Sequence, residues 1–222
     1  MSPLAKGGYW LLDYAYAVRG QVEGFLDRTD PAALQSGHRE PVLLIPGIWE
    51  TWRFLLAVAR HLHAAGHPVH VLPSLKRNGA PVAASAAIVR DYLAEQDLRH
   101  VVIVAHSKGG LIGKYAMLRQ DPEHRIDRMV AVATPFNGSI YAPYTVLPSL
   151  RAFSPADATT VLLGKNLSVN ARITSLYGEF DPHIPGGSNL PGATNQQLPV
   201  AGHFRILRLA VLAEPLDEAL GR

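Results

Sequence analysis

Short apolar runs alternate with helical patterns along most of this chain. Strands are predicted at residues 41–47, 68–75, 101–105, 127–134, 173–177 and 197–200. Between them, apolar residues recur at the spacing of one helix face. These helices are predicted at residues 51–65, 81–96, 109–119 and 204–220. The alternation predicts an α/β fold, in which one domain has a mainly parallel central sheet with helices on both faces.

A helical extension is predicted at the N-terminus, over residues 1–30. Bulky side chains recur there at close to helical spacing, at Trp10, Tyr14, Val18 and Val22. Asp13 interrupts the apolar stretch, and a charge is atypical of the core of a signal peptide. We therefore expect an amphipathic helix rather than a secretion signal, which favours a cytoplasmic location.

A second segment, residues 138–170, also breaks the alternation. It contains several prolines and turn residues and one plausible helix, at 156–165. It follows the carboxyl end of a predicted strand, and ligands bind at that edge in sheets of this kind. We expect a cap or a substrate-lining insertion within a single domain over residues 1–222, with a plain surface loop as the alternative.

Composition narrows the class of protein. The chain has 222 residues, of which 48% are apolar and 18% charged, as is typical of a compact domain. It has no cysteine, which excludes disulfides, thiolate catalysis and cysteine-ligated zinc. No uninterrupted apolar run reaches ~18 residues, so we expect no transmembrane segment. The net charge of +3 comes without a basic run or a nucleic-acid motif, so nucleic-acid binding is not expected. A solvated surface is the favoured explanation of the charge, and peripheral contact with a lipid interface is the alternative.

The segment 101–110, Val-Val-Ile-Val-Ala-His-Ser-Lys-Gly-Gly, indicates chemistry. A β-branched run leads into Ser107, and a predicted helix follows at once. This is the layout of a nucleophile elbow, which exposes a serine hydroxyl at the carboxyl edge of a parallel sheet. Ala105 and Gly109 provide the small side chains that so tight a turn requires. The alternative is a serine that caps an ordinary helix.

Two later residues are suited to activate this serine. Asp181 follows a predicted strand and precedes a proline, and His203 lies between the last strand and the final helix. In a Ser-His-Asp triad the histidine takes the serine proton and the aspartate orients the imidazole. Glu179 is an alternative acid. The sequence thus predicts a triad of Ser107, His203 and Asp181.

The other histidines are assigned different roles. His183 is close to Asp181 in the chain, and we expect it on the pocket rim or in solvent. His106 lies inside the elbow, where a packing role is favoured over catalysis. His67 and His70 have no acidic or cysteine partners nearby in the sequence. We therefore predict no metal site, and no cofactor is implied.

An oxyanion hole needs two N–H groups that face a developing negative charge. One is expected from the backbone of Lys108, at a helix N-terminus. The other is expected from the turn after the first strand, in which Gly47 permits the bend. Either Ile48 or Trp49 supplies this amide, and Ile48 is preferred.

Together these motifs resemble those of the α/β-hydrolase superfamily. The segments at 105–110, 177–181 and 193–203 resemble the small bacterial lipases that have alanine in place of the first elbow glycine. The Thr-Pro turn at 134–139 is similar to one that lipases place after the next strand. In that family a histidine usually precedes the glycine of the oxyanion turn, whereas this chain has Pro46.

The resemblance implies that Ser107, Asp181 and His203 form the triad and that Ile48 and Lys108 are the oxyanion donors. It implies a serine hydrolase that cleaves carboxylic esters of lipids or small alcohols through an acyl-enzyme. An acyltransferase or thioesterase with the same triad, or a catalytically silent binding module, are the alternatives.

Substrate contacts are predicted at Trp49, Phe136 and Tyr144. Seven apolar side chains of the insertion are further candidates for an acyl pocket, although packing on the core explains them equally well: Ile140, Tyr141, Tyr144, Val146, Leu147, Leu150 and Phe153.

Overall fold

The computed structural model describes the backbone of residues 3–221 and the side chains of residues 7–221. Its centre is a six-stranded sheet in which every neighbouring pair is parallel. The strands are β1 (Val42–Ile45), β2 (Val69–Val71), β3 (Val101–His106), β4 (Ile126–Val132), β5 (Ile173–Phe180) and β6 (Thr194–Ala201). Their spatial order is β2-β1-β3-β4-β5-β6. The first strand therefore lies inside the sheet, and β2 and β6 form its two edges.

Helices cover both faces of the sheet, as the sequence predicted. They are α1 (Pro3–Leu26), α2 (Leu56–Ala64), α3 (Val82–Glu95), α4 (Lys108–Arg119), α5 (Pro148–Arg151), α6 (Ala158–Lys165) and α7 (Leu209–Ala219). Because side chains alternate along a strand, successive β1 residues enter two separate cores. Leu43 packs in the core beneath α3 and α4, with Ile112. Leu44 packs in the opposite core, with Leu62 of α2 and Leu212 of α7.

Several predicted boundaries differ from those observed, for local reasons. Strand β2 ends at Val71, because a 3₁₀ helix (Pro73–Leu75) begins at the proline. Strand β6 starts three residues earlier than predicted, since its polar first half lies at the sheet edge, where a polar sequence can still pair. The predicted final helix is divided into a 3₁₀ helix (Arg205–Leu207) and α7, with extended backbone at Arg208 between them.

Helix α1 leaves exposed the apolar side chains from which it was predicted. Val18 and Val22 are exposed, at 62% and 51%. Gly20 and Gly24 instead let the helix lie close to Phe54 and Arg53, in the 3₁₀ helix that precedes α2. Of the helices in the described part of the chain, none combines the length and apolarity needed to cross a bilayer.

Candidate active site

The turn from β3 into α4 holds Ser107 in a strained conformation. Its backbone has φ 51° and ψ −120°, a region that non-glycine residues rarely adopt, and α4 begins at the next residue, Lys108. The Ser107 N–H donates to the carbonyl of Val132 at 2.8 Å. A Cβ at Gly109 would lie 2.2 Å from the Ile45 carbonyl oxygen, so only glycine fits there. The tight turn lifts the serine hydroxyl to the carboxyl edge of the sheet.

The three residues predicted to form a triad lie in one hydrogen-bonded chain. His203 Nε2 is 2.9 Å from Ser107 Oγ, and His203 Nδ1 is 2.7 Å from Asp181 Oδ2. The second Asp181 oxygen accepts the N–H of His183 at 2.8 Å, which fixes the carboxylate. Each of the three is less than a tenth exposed. Glu179, the alternative acid, is exposed and has no part in this chain of contacts.

Electrostatics favour the ionised aspartate and a basic imidazole. Burial lowers the pKa of His203, but the charge and hydrogen bond of Asp181, with the charges of Asp13 and Glu50, raise it above its ordinary value. Burial raises the pKa of Asp181, and His203 and the His183 N–H lower it by more, so the net shift is downward. A basic imidazole is what a general base for a serine hydroxyl requires.

His183 lies inside the site rather than in solvent. It lines the cavity beside Ser107, and its ring centroid is 5.0 Å from that of His203. On its other side it packs against Trp10 and Tyr14 of α1, at 5.4 and 5.5 Å. Burial, together with the charge of His203, lowers the pKa of His183 to about 4, so this imidazole is neutral at pH 7.

His106 bridges two parts of the site, whereas sequence analysis gave it a packing role. Its Nδ1 contacts the Glu50 carboxylate at 2.9 Å, and its Nε2 lies 3.1 Å from the carbonyl oxygen of His203. Glu50 also accepts the N–H of Gly47 at 2.6 Å. These buried contacts tie the turn after β1 to the loop that carries His203. Glu50 was not singled out from the sequence, where its only signal is a carboxylate three residues after the turn glycine.

Glu50→Ala is expected to reduce the free energy of unfolding by about 2–6 kcal/mol, because each of two buried groups left without its acceptor costs about 1–3 kcal/mol. The substitution leaves the His106 imidazole and the Gly47 N–H buried without their acceptor. Urea unfolding followed by circular dichroism measures the change. Glu95→Ala, at an exposed position in α3, is the control and should be near neutral. A loss below 1 kcal/mol for Glu50→Ala contradicts this account.

The predicted oxyanion donors lie beside the serine. Lys108 is the first residue of α4, where N–H groups have no partner within the helix. Its side chain turns away, and Nζ donates to the carbonyls of Asn78 and Ala80. Burial lowers the pKa of the Lys108 ammonium to about 8. Ile48 and Trp49 both line the cavity beside Ser107.

A cavity of about 330 Å³ opens beside the serine hydroxyl. Its wall is mainly apolar and comes from α1, the turn after β1, the insertion and the segment after β5. The lining residues are Trp10, Tyr14, Ile48, Trp49, Glu50, Ser107, Pro135, Ser139, Tyr141, Ala142, Thr145, Leu150, Phe153, Pro182, His183, Ile184, His203 and Phe204. A site of this shape takes an apolar group next to the nucleophile.

Two of the three predicted substrate contacts lie elsewhere. Trp49 lines the cavity, but Phe136 and Tyr144 do not. Phe136 is 2% exposed and packs in the core below the Lys114 ammonium, because its side chain turns under α4. Tyr144 is 88% exposed, because it ends a short 3₁₀ helix with its side chain outward.

The insertion contributes to the wall with some of its apolar residues. Tyr141, Leu150 and Phe153 line the cavity. Four others are between 44% and 89% exposed: Ile140, Tyr144, Val146 and Leu147. The insertion therefore has apolar side chains that face the cavity and others that face solvent. In the described part of the chain, no three His, Asp or Glu side chains are grouped closely enough to hold a metal ion.

Solved structures with a similar backbone define the fold. The mature form of the lipase BlEst2 from Bacillus licheniformis is 17% identical over 87% of this chain and 94% of its own, with a TM-score of 0.63. An extracellular α/β-hydrolase from a Paenibacillus species is 19% identical over 82% and 98%, at 0.56. MGS-MChE2, an α/β-hydrolase from a sediment metagenome of the Mar Chica lagoon, is 15% identical over 84% and 90%, at 0.58.

The chain therefore has the α/β-hydrolase fold, which confirms the fold inferred from the sequence motifs. No protein-family model matches the sequence. No curated protein matches it either. The likeness thus concerns the arrangement of the backbone alone.

Proposed function

We propose that this protein is a serine hydrolase that cleaves neutral carboxylic esters. The observation that carries the proposal is the hydrogen-bonded chain from Ser107 through His203 to Asp181, at the wall of an apolar cavity. The strained backbone of Ser107 supports the same assignment, since strain of this kind is retained where the fold enforces it and is concentrated at functional sites.

In the proposed reaction, His203 Nε2 takes the proton of the Ser107 hydroxyl as its oxygen attacks the ester carbonyl. Asp181 holds the imidazole in the tautomer that accepts at Nε2 and stabilises its cationic form. The backbone N–H groups of Lys108 and Ile48 stabilise the oxyanion, at about 3–4 kcal/mol for each donor. The imidazolium then protonates the leaving alcohol. Water, activated by the same histidine, releases the acid from the acyl-enzyme.

The cavity wall favours an uncharged, apolar acyl group. No lysine or arginine lines it among the described residues, and its carboxylate, Glu50, is paired with His106. A negatively charged acyl chain would therefore lack a counter-ion. A volume of about 330 Å³ is at the small end for ligand pockets, which suits short and medium chains.

A series of p-nitrophenyl esters, from acetate to palmitate, tests the proposal. We expect the highest kcat/KM between butyrate and octanoate, and a decline at palmitate as the chain outgrows the cavity. Product analysis with a competing alcohol or thiol distinguishes hydrolysis from acyl transfer. Absence of turnover above the uncatalysed rate for every ester contradicts the proposal and favours a silent binding module.

A further inference from the structure

Helix α1 places a carboxylate beneath the loop that carries His203. Asp13 is fully buried, at 0% exposed. Its Oδ2 accepts the N–H of His203 at 2.9 Å, and its Oδ1 accepts those of Phe204 and Arg205 at 2.9 and 3.0 Å. Three consecutive amides thus bind one side chain that is 190 or more positions away in the sequence. A buried carboxylate is costly unless it is hydrogen-bonded, and these three N–H donors compensate its burial.

The loop is shaped to receive this carboxylate. The amides of residues 203–205 lie at the start of the 3₁₀ helix that precedes α7. The N–H groups at the start of a helix have no hydrogen-bond partner within it. Gly202 has φ +128°, which side chains rarely adopt. A Cβ at Gly202 would also lie 2.4 Å from Asp13 Oδ1, so glycine is what allows the close approach.

The same helix contacts the site through its aromatic side chains. Trp10 and Tyr14 pack on His183, which in turn packs on the imidazole of His203. Tyr14 also contacts Phe204, at 6.3 Å between ring centroids. Helix α1 therefore meets the His203 loop both at its backbone and at its side chains.

We propose that Asp13 is a positioning residue for His203. By fixing three amides of the loop, its carboxylate holds the imidazole at hydrogen-bond distance from Ser107. This inference rests on the proposed function, because it assigns Asp13 a role in the reaction of that triad. It makes the N-terminal helix a working part of the active site rather than an accessory to the domain.

The charge of Asp13 supplies a signature that a purely structural role lacks. The charged and titratable groups that face His203 are Asp181, Asp13, Glu50, His106 and His183. Among them the three carboxylates raise the pKa of His203. Removal of the Asp13 charge therefore lowers that pKa, and the acid limb of the kcat/KM profile should move to lower pH.

Asp13→Asn, assayed with p-nitrophenyl butyrate in the full chain, tests the inference. We expect kcat to fall about 10- to 100-fold, the effect of small misplacements of catalytic groups, with KM within about twofold. The acid limb should shift to lower pH. Active-site titration with a fluorophosphonate gives kcat for each competent site, so a smaller folded fraction does not imitate the effect. Glu23→Gln is the matched control, because it removes one negative charge from an exposed position of the same helix and should change neither quantity.

The possible outcomes separate the two proposals. If the wild-type protein hydrolyses the ester and Asp13→Asn matches it in kcat and in pH profile, the positioning role is wrong and the proposed function stands. If Asp13→Asn gives no folded protein, the kinetics and the pH profile of Asp13→Glu test the inference instead.

The Asp13→Glu variant retains the negative charge but displaces it, so kcat should fall at least about fivefold without a shift of the acid limb. If neither variant folds, Asp13 is a folding residue and the inference is overturned. If the wild type has no activity, the proposed function itself is wrong.

Discussion

Ser107→Ala is expected to lower kcat for p-nitrophenyl butyrate by a factor on the order of 10⁴–10⁶, which is the scale seen when a triad nucleophile is removed. The loss is large because the substitution removes the attacking oxygen and leaves only the oxyanion donors and the cavity to act on bound ester. KM should change little, since the hydroxyl contributes no apolar contact. Steady-state kinetics at pH 8 measure both quantities.

Ser188→Ala is the matched control for this experiment. Ser188 is 1% exposed, it lies outside the cavity wall, and its hydroxyl has no hydrogen-bond partner among the described residues. Loss of the same oxygen there should leave kcat within about twofold of the wild type. A Ser107→Ala enzyme with the normal rate would remove the basis of the proposed mechanism.

Asp181→Asn is expected to reduce kcat by about 10⁴-fold while the protein stays folded. The amide can donate to His203 Nδ1 where the carboxylate accepts from it at 2.7 Å. The imidazole then carries its proton on Nε2 and cannot accept the proton of Ser107. The substitution also removes a charge that stabilises the imidazolium.

Glu179→Gln distinguishes Asp181 from the other acid candidate. Glu179 is exposed and lies two residues before Asp181 in the sequence. Glu179→Gln therefore removes a negative charge close to Asp181 in the chain but outside the hydrogen-bonded triad. Its kcat should stay within about twofold of the wild type. A large loss in Glu179→Gln together with a small one in Asp181→Asn would assign the acid to Glu179. Comparison of the two variants at several pH values completes the test.

The residues of the candidate triad could be placed from the sequence because each lies within two residues of the carboxyl end of a strand. Val101–His106 is recognisable as a buried strand, and Ser107 comes at its carboxyl end. Asp181 follows β5, and His203 lies two residues after β6. In a parallel sheet these ends meet at one edge, so side chains that are 96 positions apart come within 2.9 Å.

The supporting contacts could not be predicted, because they depend on how separate elements dock. In the sequence, Asp13 only interrupts the apolar stretch of a predicted helix. The amides that bind its carboxylate lie near the other end of the chain. Glu50 and His106 meet only after β1 and β3 pair. Phe136 lies in a turn and Tyr144 in a three-residue 3₁₀ helix, and neither is long enough for a periodic pattern to indicate the direction of a side chain. Neither side chain lines the cavity, so the predicted substrate contacts at these two positions have no support from its wall.

The most direct test of the central claim is labelling by a fluorophosphonate, which reacts only with an activated serine. The wild-type protein should be modified once, on the tryptic peptide of residues 100–108 that contains Ser107. His203→Ala should slow that labelling by several orders of magnitude in a folded protein. Labelling at another serine, or an equal rate in the His203 variant, would contradict the proposal that His203 activates Ser107.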